Sequence, residues 1–315
     1  MRRESPPWIY VPLAVITLLM MSAVTGCEDV VQVNLKVSEP QLVIEGYVGW
    51  NLPGGPHFRI TRSTDFFNPT TPEYVDDAQI IVTDALENVD TLYGVGNGQY
   101  RFHYLNLRTG NNYRANVTIG DRRYEATTTM TARIQIDSVT AQYQTGGGIG
   151  TGEDEGYRLH VYFTDPPGTH EYARIVLGNS RGLFSDTYYL YDGKFSDGKT
   201  VDYNYFLDTY HPGEFATVDI WAIDRSMYDY LSTLREAIVW DDPTNVFDVS
   251  PANPNSNWTG GALGFFGAFN DAHSAMEIPD TIPTGSGTAL IWRNSDFSQR
   301  SPTEARALRL GRLAR

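Results

Sequence analysis

Asn112-Tyr-Arg-Ala-Asn-Val-Thr-Ile119 decides the fold class: Tyr113, Ala115, Val117 and Ile119 fall on one side of an extended chain, and Asn112, Arg114, Asn116 and Thr118 on the other. Successive side chains of a strand point to opposite faces, so this period of two describes a half-buried antiparallel strand with one face on a core and one in water. The pattern recurs on either side. Gln99 to Tyr104 sets Tyr100, Phe102 and Tyr104 against Gln99, Arg101 and His103, and Gln41 to Trp50 sets Leu42, Ile44 and Val48 on one face around Gly46. Further strand runs at His57 to Thr64, Gln79 to Asp84, Val89 to Tyr93 and Arg123 to Thr129 are separated by Gly, Pro or Asn clusters. Short strands at this density predict a β-sandwich of immunoglobulin or transthyretin type over residues 39–133.

A strand over Ile134 to Tyr143 then leads into Thr145-Gly-Gly-Gly-Ile-Gly-Thr-Gly152 and Glu153-Asp154-Glu155, which has little to bury and reads as an exposed loop. It has no P-loop Lys, and its acids would repel phosphate. Strands resume at Tyr157 to Thr164, Glu171 to Leu177, Thr187 to Tyr191, Val201 to Leu207 and Ala216 to Ile223. One helix comes next over Ser226 to Ile238, with Met227, Tyr230, Leu231, Leu234 and Ile238 at helical spacing and Ser226 as its cap. Residues 134–280 are therefore a second, β-rich domain with one packed helix, and the chain as a whole is all-β with two sandwich-like domains. The composition agrees: 29 Gly, 17 Pro, 20 Tyr and 14 Phe in 315 residues favour turns and pleated surfaces over helices.

The N-terminus has a different character. Arg2 and Arg3 precede an apolar run from Val11 to Val24 in which only Thr17 and Ser22 are polar, and Thr25, Gly26 and Cys27 follow. A basic start, an apolar segment short of the ~20 residues that span a bilayer, and a small-residue cleavage site predict a signal peptide over residues 1–26. The chain has a single cysteine, and it stands at that cleavage point. Val24-Thr25-Gly26-Cys27 resembles the bacterial lipobox, which implies cleavage before Cys27, lipidation of its thiol and a tether over residues 27–38. Several acyl chains, at about 0.8 kcal/mol per buried CH₂, would anchor the protein to a membrane without a spanning helix. Glu28 and Asp29 resemble the acidic export signal of surface lipoproteins.

Charge and motif patterns exclude several activities. A net charge of −14 argues against wrapping nucleic acid. The six His never fall at zinc-site spacing, and the acids at Asp76-Asp77, Asp192 with Asp197, and Asp241-Asp242 lack EF-hand spacing and read as solvated turns, so no metal or cofactor is expected. Gly178-Asn-Ser180-Arg-Gly182 matches the nucleophile-elbow pattern, but the residues after it read as another strand where that motif needs a helix. No catalytic residue is assigned, and the protein is read as not an enzyme. The tail over 281–315 carries six Arg against Asp296 and Glu304 and is read as a basic, flexible extension. Tyr188, Tyr189, Tyr191, Tyr203 and Tyr205 surround the turn Asp192-Gly-Lys-Phe-Ser-Asp-Gly198 and are the candidate ligand-binding aromatics. In a hairpin they would form a row on one face, either a platform for sugars, peptides or another protein or ordinary core, the commoner use of half-buried Tyr.

Several segments together resemble the Bacteroidota outer-membrane lipoproteins grouped as domain of unknown function 4249. They are Cys27, Pro40-Gln-Leu-Val-Ile-Glu-Gly46, Asp77-Ala-Gln-Ile-Ile-Val-Thr-Asp84, Gly98-Gln-Tyr100 and Ile136-Asp-Ser-Val139. Later come Asp165-Pro-Pro-Gly168, Tyr228-Asp-Tyr-Leu231 and Gly260-Gly-Ala-Leu-Gly-Phe-Phe-Gly267. The resemblance implies a lipid-anchored outer-membrane protein at the cell surface, held by the lipid on Cys27, with a noncatalytic binding or accessory role beside a TonB-dependent receptor in nutrient uptake. It carries over no catalytic residues. The rival roles are a structural or adhesive surface lipoprotein and a secreted hydrolase.

Overall fold

The computed structural model describes residues 39–50, 55–64, 71–144, 155–179, 182–183, 188–204, 209–239, 253–280 and 289–293. The first half of the chain supplies β1 (Leu42–Gly49), β2 (His57–Arg62), β3 (Gln79–Asp84), β4 (Val89–Thr91), β5 (Tyr93–Gly96), β6 (Gln99–Arg101), β7 (Asn112–Ile119) and β8 (Arg122–Thr129). The second half supplies β9 (Ile136–Gln144), β10 (Gly156–Thr164), β11 (Tyr172–Asn179), β12 (Gly182–Leu183), β13 (Tyr189–Asp192), β14 (Thr200–Tyr203) and β15 (Phe215–Ile223). After these come α1 (Arg225–Val239), β16 (Phe266–Glu277) and β17 (Ala289–Arg293). β7 occupies the stretch that decided the fold class, with Tyr113, Ala115 and Val117 buried between exposed or half-buried neighbours.

The strands form three sheets. A nine-stranded sheet runs β12-β11-β15-β16-β1-β2-β6-β5, with β13 also paired to β11, and two four-stranded sheets run β4-β3-β7-β8 and β14-β10-β9-β17. The two small sheets pack on the same face of the large one. In β16 the even-numbered residues show this: Phe266 and Ala268 enter a core with β1, β2, β3, β7 and β8, while Ala272 and Met276 enter a second core with β9, β10, β11 and β15. The odd-numbered Phe269 faces the other way, onto a third cluster with Tyr172, Ile223 and the α1 residues Met227, Tyr230 and Leu231. The protein is thus mostly β, two sandwiches sharing one broad sheet with a helix on its back.

From Pro40 onward the chain forms one compact unit. The division expected at residues 133 and 134 falls between the two cores, yet the large sheet crosses it: β1 pairs in parallel with β16, Gly46 opposite Phe266 and Gly49 opposite Phe269. Immediately before β16 the glycine-rich segment extends that pairing, with Ile44 N–H donating to the Leu263 carbonyl and Gly46 N–H to that of Phe265, each at 2.9 Å. Gly264 is there for close approach. Its φ is +85°, and a Cβ would lie 2.3 Å from the Ile44 carbonyl oxygen. The Trp258 indole N–H also donates to that oxygen at 2.9 Å, and Asn257 bonds both main-chain groups of Phe266.

Several expectations are corrected. The run Val89 to Tyr93 is two strands in different sheets, because Leu92 between them is buried and its N–H donates to the Ile80 carbonyl. β6 stops at Arg101, and Tyr104 is 81% exposed and not the third inward aromatic of a strand. The cap of α1 is Asp224, not Ser226: Asp224 Oδ1 accepts from Met227 N–H and Ser226 Oγ, each at 2.8 Å. Ile238 is nearly half exposed, so the apolar stripe of α1 ends a turn earlier. Residues 289–293, assigned to a flexible tail, form β17 and pair with β9 from Ala289 opposite Gln142 to Arg293 opposite Ser138. This run, Ala-Leu-Ile-Trp-Arg, is strand-forming in its own right once the arginines around it are set aside.

Candidate functional site

A cavity of about 800 Å³ opens beside the end of the large sheet where β5 and β6 lie. Its apolar lining is Trp50, Phe102, Leu105 and Leu107, all half-buried against the first core. Tyr93 and His103 line it as well, with ring centroids 4.7 Å apart and planes tilted by 53°. Arg101 contributes the cation and is registered opposite both His57 and Tyr93. Among the described residues no carboxylate lines the cavity, although the chain carries a net charge of −14.

Local sequence positions each of these groups. The β5–β6 turn is Asn97-Gly98, both residues at positive φ, the combination that closes a tight hairpin. Gly98 must be glycine here, since a Cβ would lie 2.2 Å from the Ile60 carbonyl oxygen, and its N–H donates to Asp76 Oδ1 at 2.7 Å. Tyr100 points inward and fixes the strand: its hydroxyl donates to the Val75 carbonyl and accepts from Ala78 N–H. Arg101 therefore falls on the opposite side of β6. His103 Nδ1 lies 2.8 Å from the Thr91 carbonyl oxygen, which can only accept, so Nδ1 carries a proton, and whenever the ring is neutral Nε2 is its acceptor. Behind it, the buried Asp90 approaches Nδ1 at 3.6 Å and accepts from Tyr104 N–H at 2.8 Å. The cavity thus combines apolar rings, one guanidinium donor and one imidazole acceptor.

The aromatics singled out in sequence lie elsewhere. Tyr189 and Tyr191 are buried in the second core, and Tyr191 meets Phe163 edge-on at 4.9 Å. Tyr203 is half-buried against the same core and its hydroxyl bonds the Leu190 carbonyl. The hairpin that would have aligned them does not exist, because β13 pairs with β11 and β14 with β10, in different sheets. Tyr189, Tyr191 and Tyr203 are core, not an exposed platform. Tyr188 differs, lying on the back of the large sheet against Arg174 at 4.4 Å. Arg174 also lies over Trp221 at 5.3 Å, and Trp221 stacks on Phe269 at 4.7 Å. Burial lowers the proton affinity of Arg174. Nearby, burial and then the charge of Glu45 raise the Tyr47 hydroxyl well above the usual phenol range. Tyr205, Cys27, Glu28, Asp29, Ser180 and the Asp241-Asp242 pair lie outside the described residues.

The turn acids have main-chain partners. Asp76 holds Gly98, Asp192 accepts from Lys194 N–H and His170, and Asp197 accepts from Gly168 N–H at 2.6 Å. Among the described residues no three His, Cys, Asp or Glu side chains converge as a metal site requires. The cavity was missed in sequence although Trp50, Tyr93, Arg101, Phe102 and His103 all fall in the strand runs, because alternation marks which face is buried, not where a surface is concave. The one signal was Leu105-Asn-Leu107, which follows the alternating run with two further apolar residues and forms no strand.

No curated protein matches this sequence. A family model does, over residues 28–275, which takes in β1 to β15, α1 and nearly all of β16. The chain belongs to the family described as Domain of unknown function (DUF4249).

Proposed function

We propose that this protein is a lipid-anchored, noncatalytic binding component of the outer membrane, facing the cell surface and serving a TonB-dependent uptake system. The observation that carries the reading is Val24-Thr25-Gly26-Cys27, a lipobox after a basic and apolar leader, whose cysteine is the single one in the chain. Among the described residues no helix is long and apolar enough to cross a membrane, a finding that does not bear on β-barrels. A lipid on Cys27 would supply the anchorage. The cavity between Trp50, Tyr93 and His103 supports a role in capture, because it has the mixed apolar and polar lining of ligand sites.

The test is mild crosslinking of tagged protein in outer membranes of its native host, followed by mass spectrometry of the proteins that copurify. The expected result is a TonB-dependent barrel in near-stoichiometric amount. Lipidated, abundant protein without a barrel would sink the uptake role and favour the adhesive or structural one.

A further inference from the structure

From the same cavity we infer the class of ligand captured: a carbohydrate, held with a sugar ring against Tyr93 and its hydroxyls on Arg101 and His103. The inference rests on the reading of the cavity as a capture site and adds its chemistry. A pyranose has an apolar C–H face and a rim of hydroxyls that both donate and accept. The cavity matches both requirements. Tyr93 is 45% exposed and braced by His103 at 4.7 Å, and Trp50 and Phe102 continue the apolar surface. A hydroxyl can accept from the guanidinium of Arg101 and donate to Nε2 of His103, whose other nitrogen is committed to the Thr91 carbonyl.

Other ligand classes fit less well. A peptide that binds by strand addition needs a free sheet edge to pair with. The edge here, β5, is four residues long and irregular, since its register to β6 shifts between Gly94 and Gly96. Such a short, bulged strand is how sheets resist pairing. A phosphate-bearing ligand would call for more cationic groups than one arginine. An acyl chain would set hydrocarbon against the polar ends of Arg101 and His103, which it cannot hydrogen-bond.

The experiment uses the full mature chain from Cys27. It is screened on a glycan array of neutral and acidic hexoses, pentoses and N-acetylhexosamines beside an array of random peptides. Hits are titrated as the free oligosaccharide by calorimetry. The expected result is saturable binding of at least one oligosaccharide, weakened at least tenfold by Tyr93→Ala and by His103→Ala, retained by Tyr93→Phe, and unchanged by Tyr104→Ala. Tyr93, His103 and Tyr104 all carry large exposed surface, so these variants fold, which circular dichroism checks. No glycan bound at tens of millimolar, glycan binding indifferent to Tyr93→Ala, or binding on the peptide array alone would each overturn the inference. A barrel recovered by crosslinking together with a silent glycan array would remove the carbohydrate and leave the uptake role standing.

Discussion

Asp224 ties the helix to the opposite half of the molecule, and its removal has a calculable cost. One carboxylate oxygen, Oδ1, accepts from Met227 N–H and Ser226 Oγ, each at 2.8 Å, and so caps α1. The other, Oδ2, accepts from Thr128 Oγ1 and Thr129 N–H, each at 2.9 Å, at the end of β8. Losing an N-cap costs about 1 kcal/mol. Each lost bond across to β8 adds about 1 kcal/mol net, because the partner is left without an acceptor. Asp224→Ala is therefore expected to cost about 3 kcal/mol. Asp224→Ser keeps a capping oxygen but cannot reach β8, so about 2 kcal/mol is expected there. Guanidinium unfolding of the mature chain measures both, and thermal scans should show the alanine variant melting about 6 to 12 °C lower. If serine restores full stability, the carboxylate is only a helix cap and the link to β8 carries nothing. If both variants lie within about 0.5 kcal/mol of the parent, the level of an ordinary surface substitution, the reasoning fails altogether.

Four further substitutions have defined outcomes. Gly264→Ala should prevent accumulation of folded protein, since its Cβ would strike a backbone oxygen at 2.3 Å from a positive-φ position. Gly267→Ala meets the Met227 side chain at 2.4 Å and should cost only about 1 to 3 kcal/mol, and soluble yield with unfolding curves separates the two. Burial pushes the Tyr230 hydroxyl up to about 12 from its ordinary 10.0, with the charge of Glu45 adding to the effect. The unfolded chain loses that proton first, so this stability is fully present below pH 10 and is lost as pH rises toward 12; a Tyr230→Phe variant should show a shallower loss between about pH 10 and 12 in urea unfolding. Cys27→Ser should abolish labelling by radioactive palmitate and release the protein from the membrane fraction, and labelling that persists would place the lipid elsewhere.

How much could be read in sequence depends on whether a residue answers to its neighbours or to distant chain. β3 and β7 fall where alternation puts them, since Ile80, Val82, Tyr113 and Val117 report the core through period two alone. α1 was legible for the same reason, at a period of about 3.6. Its cap was misread because Asp224 closes the preceding strand run, where a polar residue looks like an end and not a beginning. β16 is not marked by alternation in the sequence, although it is the longest strand described. It is buried on both faces for much of its length, so Asn270-Asp-Ala-His-Ser-Ala-Met276 shows no clean alternation, and its Asn270 is satisfied from afar. Asn270 bonds Thr109, Thr131 and Arg133, which are 161, 139 and 137 residues away.

That long-range dependence bears on how the cavity is built. β1, the first strand, is flanked by β2 on one side and by β16 on the other, so its ladder is complete only when the last part of the described chain has arrived. Until then Ile44 and Gly46 lack the carbonyls of Leu263 and Phe265, and Trp258 is missing from the core around Phe58. Trp50 directly follows β1, and His57 opens β2 opposite Tyr47. The first sandwich therefore holds one wall of the cavity in place through a strand that belongs, by sequence, to the second half. A fragment ending near residue 133 keeps every cavity residue in its sequence but exposes the β16 edge of β1 and the inner faces of Ile44 and Phe58. An unpaired strand edge over an open apolar face favours association with another chain. The division of labour between the two halves is therefore one of packing, with the N-terminal half supplying the groups that line the cavity and the C-terminal half the strand that holds them.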